Sequence, residues 1–131
     1  MERLYQFLKK CGVYYIATVD SEMRPHVRPF GTIDVFDGKL CFQTGAKKPV
    51  ARQLDGNPNV EICAYDGTTW LRIVAVAAEE PRLEAQEQML EAYPELKKLY
   101  SVGDGNNRIY KLEHGVGSFC SFSEAPIEVE F

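Results

Sequence analysis

Apolar positions change their period several times along this chain, and each change marks an element. Over Glu2–Lys10 they fall at Leu4, Tyr5, Phe7 and Leu8, the spacing of one helix face, and Gly12 stands where a helix C-cap is expected. Val13–Val19 is β-branched and aromatic, which predicts a strand, and Asp20-Ser21-Glu22 predicts a turn. Pro25–Phe36 reads as a second, irregular strand. Its prolines, Pro25 and Pro29, carry no N–H for a ladder, which confines the strand to a sheet edge or a bulge. Asp37-Gly38 signals a hairpin into the strand Lys39–Thr44. Pro49–Asp55 predicts a helix, with proline near its start and Gly56 past its end. After a turn at Asn57-Pro58-Asn59, the strands Val60–Tyr65 and Thr69–Ala78 flank a second hairpin signal, Asp66-Gly67. Arg82–Tyr93 predicts a helix with Leu83, Met89, Leu90 and Tyr93 on or near one face. Pro94 ends it and starts a further turn through Leu99 and Tyr100. A polar loop over Ser101–Asn107 precedes three closing strands, Arg108–Glu113, Val116–Phe122 and Ile127–Phe131.

Short strands joined by short connections imply an antiparallel sheet. The expected class is therefore mainly β with flanking helices (α+β), a small barrel of about six to eight strands with helices packed outside. A length of 131 residues, 45% hydrophobic and 26% charged, fits one domain over residues 1–131 with a single core. No repeat or linker divides it. No apolar run approaches the roughly 20 residues of a membrane helix. Met1–Gln6 lacks the apolar core of a signal peptide, so a cytoplasmic location is expected. Cys11, Cys41, Cys63 and Cys120 are widely spaced with no Cys-x-x-Cys pair. Reduced structural cysteines are expected, and no metal site.

Charge changes this picture locally. The net charge is −4, yet residues 24–52 hold Arg24, Arg28, Lys39, Lys47, Lys48 and Arg52 against only Asp34 and Asp37. One basic patch on an acidic body suits a small anionic ligand better than a nucleic acid. The segment Phe42-Gln43-Thr44-Gly45-Ala46-Lys47-Lys48-Pro49 is a strand end, a turn and a helix start. Two lysines and the Thr44 hydroxyl stand beside a helix N-terminus, a combination suited to phosphate. Along the preceding strand Arg24, His26, Arg28 and Phe30 share a face, which is either solvated or turned towards the same ligand. Phe30 and Phe42 would then supply an apolar wall for a ring. Trp70 and Arg72 share a face of their own strand, open to a planar ligand, a second subunit or a core role. No Gly-x-Ser-x-Gly, P-loop or Gly-x-Gly-x-x-Gly is present. Chemistry by side chains alone is not advertised, and a cofactor bringing its own reactivity is the expectation.

Several pieces, in order, resemble the pyridoxamine 5′-phosphate oxidase-like family of flavin-binding split β-barrels. They are Arg28-Pro29-Phe30-Gly31, Leu40-Cys41-Phe42-Gln43-Thr44, Lys47-Lys48-Pro49-Val50-Ala51-Arg52-Gln53-Leu54, Asn57-Pro58-Asn59-Val60, Trp70-Leu71-Arg72-Ile73 and Met89–Tyr100. The resemblance implies flavin mononucleotide (FMN) held at a homodimer interface. It places Arg28, Pro29 and Phe30 beside the isoalloxazine ring, and Phe42, Gln43 and Thr44 near ring and phosphate. Lys47 and Lys48 would grip the phosphate, and Gln53 would reach the ribityl or ring region. Trp70, Leu71 and Arg72 would approach from the neighbouring subunit. The chain departs from the true oxidase in lacking its C-terminal tryptophan-and-arginine segment, so oxidation of pyridoxamine phosphate itself is not expected. Ala75 stands where many relatives have glycine, and its methyl is expected to narrow the space over the cofactor.

Two functional expectations follow. The first is a homodimeric FMN-dependent oxidoreductase that moves electrons or hydride between a donor and a small molecule. The second is a non-catalytic protein that stores, carries or senses flavin or another anionic ring compound. Neither involves nucleic acid or a membrane.

Overall fold

The computed structural model describes residues 1–131. In chain order they form α1 (Glu2–Cys11), β1 (Tyr14–Val19), β2 (Pro25–Phe30), β3 (Asp34–Phe36), β4 (Lys39–Gly45), α2 (Pro49–Gly56), β5 (Asn59–Tyr65), β6 (Trp70–Glu79), α3 (Leu83–Ala92), a 3₁₀ turn (Pro94–Lys98), β7 (Asn107–Cys120) and β8 (Ile127–Glu130). No helix is long and apolar enough to cross a membrane.

All eight strands belong to one antiparallel sheet, ordered β2-β1-β5-β6-β7-β4-β3, with β8 paired to β7 beside β4. The strand with the two prolines, β2, is indeed an edge. The outermost strands β2 and β3 are joined only by Gly31, Thr32 and Ile33. Three residues span about 10 Å, so the sheet has to roll until its two ends nearly meet. The interior of the roll holds the core, including Leu4, Tyr14, Ile16, Phe42, Leu71 and Ile73, all fully buried.

Two sequence expectations change. Pro25–Phe36 is not one strand: it breaks at the Gly31–Ile33 link, where the Tyr14 hydroxyl donates to the Thr32 carbonyl at 2.7 Å. The strands expected over Arg108–Glu113 and Val116–Phe122 are one strand, β7. His114, at φ 51°, marks a bulge: Val74 faces Val116 while Val76 faces Glu113. The extra residue bends β7 without ending it. This lets one half pair with β4 and the other with β8. The Asp37-Gly38 hairpin forms as expected, with both residues at positive φ. Helix α1 lies close against the sheet because Gly117 has no side chain; a Cβ there would stand 2.6 Å from Leu4 Cδ2.

Strand β4 is buried on both faces from Leu40 onward, by the core on one side and by α3 on the other, where Cys41 meets Ala85 and Met89. Burial pushes the Cys41 thiol up to about 12. The start of α3 is tied down by Arg82. Its guanidinium donates to both oxygens of the buried Glu80 at 2.8 and 3.0 Å, and to Asp37 on the β3–β4 hairpin at 2.8 Å. The Arg82 hydrogen bond dominates and lowers the Glu80 carboxyl from 4.5 to about 2. A carboxylate depressed on folding stabilises the native state above its unfolded pKa, and that stability is lost as pH falls through the folded value. Stability is therefore expected to decline between pH 4.5 and about 2. Glu80→Gln should flatten the decline in a series of urea midpoints against pH.

Candidate functional site

Register decides which way the β2 side chains face. Arg28 pairs with Ile16 and His26 with Thr18, both on the inner face of β1. The face bearing His26, Arg28 and Phe30 therefore turns towards the open edge of the roll, where Arg28 and Phe30 are half-buried and His26 stays exposed. Phe30 is half-buried and packs edge-on against Phe42, with ring centroids 5.4 Å apart. The Arg28 guanidinium reaches under the edge. It donates to the Thr18 hydroxyl at 2.7 Å and to Gln53 Oε1 of α2 at 2.8 Å. Partial burial pulls its pKa below the ordinary guanidinium value, but a guanidinium keeps its charge. His26 Nε2 sits 2.9 Å from Asp20 Oδ2. That contact, followed by the Arg24 amide, holds the Asp20 carboxyl well below the usual carboxylate range.

The gap between β2 and α2 is a groove of about 480 Å³ walled by His26, Arg28, Pro29, Phe30, Lys48 and Gln53. A smaller groove of about 290 Å³ runs from the same Pro29, Phe30 and Lys48 over Thr32, Gln43 and Thr44 to Tyr93. Sharing three walls, the two form one depression along the split in the barrel. Lys48 stands at its middle, exposed, as the N-cap residue of α2. Few amides of this turn are free. That of Lys47 donates to Asn106 Oδ1 and that of Lys48 to the Gly45 carbonyl, while Pro49 has none. The turn therefore offers an anion its exposed ammonium groups more than the free helix-end amides that the sequence suggested. Beneath the smaller groove Gln43 donates to Asn107 Oδ1 at 3.2 Å, and the buried Asn107 Nδ2 has no partner. Tyr93 closes the far wall, its hydroxyl bridging the Ile33 amide and carbonyl at 3.1 and 3.0 Å.

Residues 1–114 match the family described as pyridoxamine 5′-phosphate oxidase. The chain belongs to this family. Among solved structures it is similar to a NimC/NimA family protein from Clostridium acetobutylicum, at 38% identity and a TM-score of 0.91, covering 98% of this chain and 93% of that one. General Stress Protein 26 from Bacillus anthracis shares the fold at 16% identity and a TM-score of 0.79, covering 99% and 97%. So does HutZ, a heme storage protein from Vibrio cholerae, at 22% identity and 0.66, covering 98% and 93%. No curated protein matches. The split-barrel fold expected from the sequence is thus the fold of this pyridoxamine 5′-phosphate oxidase family member.

Of the expected site residues, the structure brings Arg28, Pro29, Phe30, Gln43, Thr44, Lys48 and Gln53 to the one depression. Lys47 is exposed beside it and lines neither groove. Phe42 lies a layer deeper: it is fully buried, stacked on Tyr110 at 5.6 Å, and meets the depression only through Phe30. Trp70, Leu71 and Arg72 are elsewhere. Leu71 is in the core, Trp70 packs on Phe122 at 4.9 Å, and Arg72 pairs with Glu61 on the outer sheet face. Ala75 is buried in the core and lines neither groove of the depression. Sequence reasoning missed Thr18, although a polar residue in the inward series Tyr14, Ile16, Thr18 is a readable signal. Tyr93, read only as part of a helix face, was missed as a groove wall. Phe42→Ala is expected to cost about 3–5 kcal/mol of stability, read from the urea unfolding midpoint.

Proposed function

We propose that this protein is an FMN-binding, flavin-dependent oxidoreductase acting on a small molecule, with the cofactor lying along the split of the barrel. The observation that carries the reading is one depression combining an aromatic wall, Phe30, a fixed cation, Arg28, and an exposed ammonium, Lys48. That donor set fits a planar ring ending in a phosphate. Lys48, with Lys47 beside it, would neutralise the phosphate. Phe30 and Pro29 would cover one side of the ring and exclude water. The flavin, when bound, supplies hydride or electron transfer between a donor and a small acceptor. Arg28 and Lys48 set a positive field along the depression, which favours any step that adds negative charge there.

The depression is open on one side, and the outer face of β2, β1, β5 and β6 carries Tyr15, Val27, Tyr65 and Val74, each at least half exposed. An apolar sheet face of this kind supports a homodimer in which Trp70 and Arg72 of a second copy complete the site. Sedimentation should give a mass near twice 14.8 kDa; a monomer at micromolar concentration excludes the shared site.

A second reading, flavin holding without turnover, is favoured by one observation. The only imidazole at the depression, that of His26, is engaged by Asp20. Mixing the FMN-loaded protein with a nicotinamide reductant separates the two: bleaching of the visible band marks an oxidoreductase, and a stable band marks a holder.

Lys48→Ala is expected to weaken FMN binding by about 1–3 kcal/mol, the scale of one charge-assisted hydrogen bond, with the melting temperature unchanged. Titration followed by flavin fluorescence checks this. Wild-type protein that takes up no FMN overturns the proposal.

A further inference from the structure

Thr18 is 1% exposed, the third buried residue of the inner series on β1. A buried hydroxyl among apolar neighbours is costly unless paired, and this one is paired twice. It accepts from Arg28 Nη1 at 2.7 Å and donates to Gln53 Oε1 at 2.5 Å. Arg28 Nη2 donates to the same Gln53 oxygen at 2.8 Å. A guanidinium has only donors, so it dictates which end of the Gln53 amide faces it. The carbonyl oxygen must point to Arg28, and its two lone-pair positions are then taken by Arg28 and Thr18. The other end, Nε2, makes no bond within the protein and is not among the buried unpaired atoms. Gln53 lines both the 480 Å³ groove and a further hollow of about 580 Å³ on its other side, beside Arg52 and Met23.

We infer that Thr18 is a positioning residue: together with Arg28 it locks Gln53 as a hydrogen-bond donor facing the ligand. The site then selects a ligand with an acceptor there, such as a ring carbonyl, an unprotonated ring nitrogen or a phosphate oxygen. A ligand offering an N–H at that point is rejected, because the amide cannot turn over without abandoning Arg28. This deepens the flavin reading above and rests on it.

The test compares wild type, Thr18→Val and Thr18→Ser. Valine keeps the shape of threonine and removes the hydroxyl. Arg28 Nη1 retains the His26 carbonyl at 3.2 Å, so the edge strand stays attached. Two readouts are taken: the FMN dissociation constant, and the ¹⁵N order parameter of the Gln53 side-chain amide in ligand-free protein. Thr18→Val is expected to weaken FMN binding about tenfold and to lower the order parameter from roughly 0.8 to below about 0.6. Thr18→Ser, which keeps the hydroxyl, should stay close to wild type in both. Unchanged FMN affinity in folded Thr18→Val overturns the inference, as does an unchanged order parameter or an equal loss in Thr18→Ser. If Thr18→Val does not fold, Gln53→Glu replaces it. A carboxylate is acceptor-only, so more than tenfold weaker binding is expected, and equal or tighter binding overturns the inference. Wild type that binds no FMN overturns the flavin reading and this inference together; wild type that binds while Thr18→Val binds equally overturns this one alone.

Discussion

The three residues Gly31, Thr32 and Ile33 constrain everything else in this fold. They join the two outermost strands of a seven-strand path, and a connection that short cannot cross an open sheet. The sheet must curl, the inner face of β2 must come round to β4, and the ends stop short of pairing. The gap is left where the chain crosses from one edge to the other. It is lined by what those edges carry: Arg28, Pro29 and Phe30 from one side, Gln43 and Thr44 from the other, with Lys48 at the mouth. Barrel closure and groove formation are therefore one event.

Within that gap the positive charges divide their work. Arg28 is drawn inward and fastens the edge strand to Thr18 and Gln53. Lys48 remains exposed. A half-buried guanidinium with fixed partners contributes a standing field at little reorganisation cost when a ligand arrives, whereas a mobile ammonium can follow an anion. Arg52 is also engaged at the turn, its guanidinium donating to the Lys47 backbone carbonyl at 2.9 Å, while the Lys47 side chain stays exposed. The basic segment is thus partly scaffold and partly ligand-facing.

Much of this was legible in the sequence. The two prolines of β2 confined it to an edge or a bulge, Asp37-Gly38 and Asp66-Gly67 announced hairpins, and the charge imbalance of residues 24–52 marked the turn that lies at the groove. What misled is equally specific. The His114-Gly115 break looked like a turn because a positive-φ residue does the same local job in a bulge as in a hairpin. Only the partner strand shows that pairing continues across it. Phe42 looked like a ligand wall because aromatic residues at a strand end read alike whether they face a ligand or the core.

Periodicity, prolines and turn residues act over a few neighbours, so the chain by itself settled most of its helices and hairpins, confined β2 to an edge or a bulge, and showed where positive charge gathers. Which of those charges stays free, which aromatic ring lies a layer deeper and which hydroxyl aims the Gln53 amide depend on contacts between residues far apart in sequence. Thr18 meets Arg28 and Gln53 only after the sheet has rolled. Such pairings carry no local signature, because the partners are chosen by the path of the backbone and not by their neighbours along it.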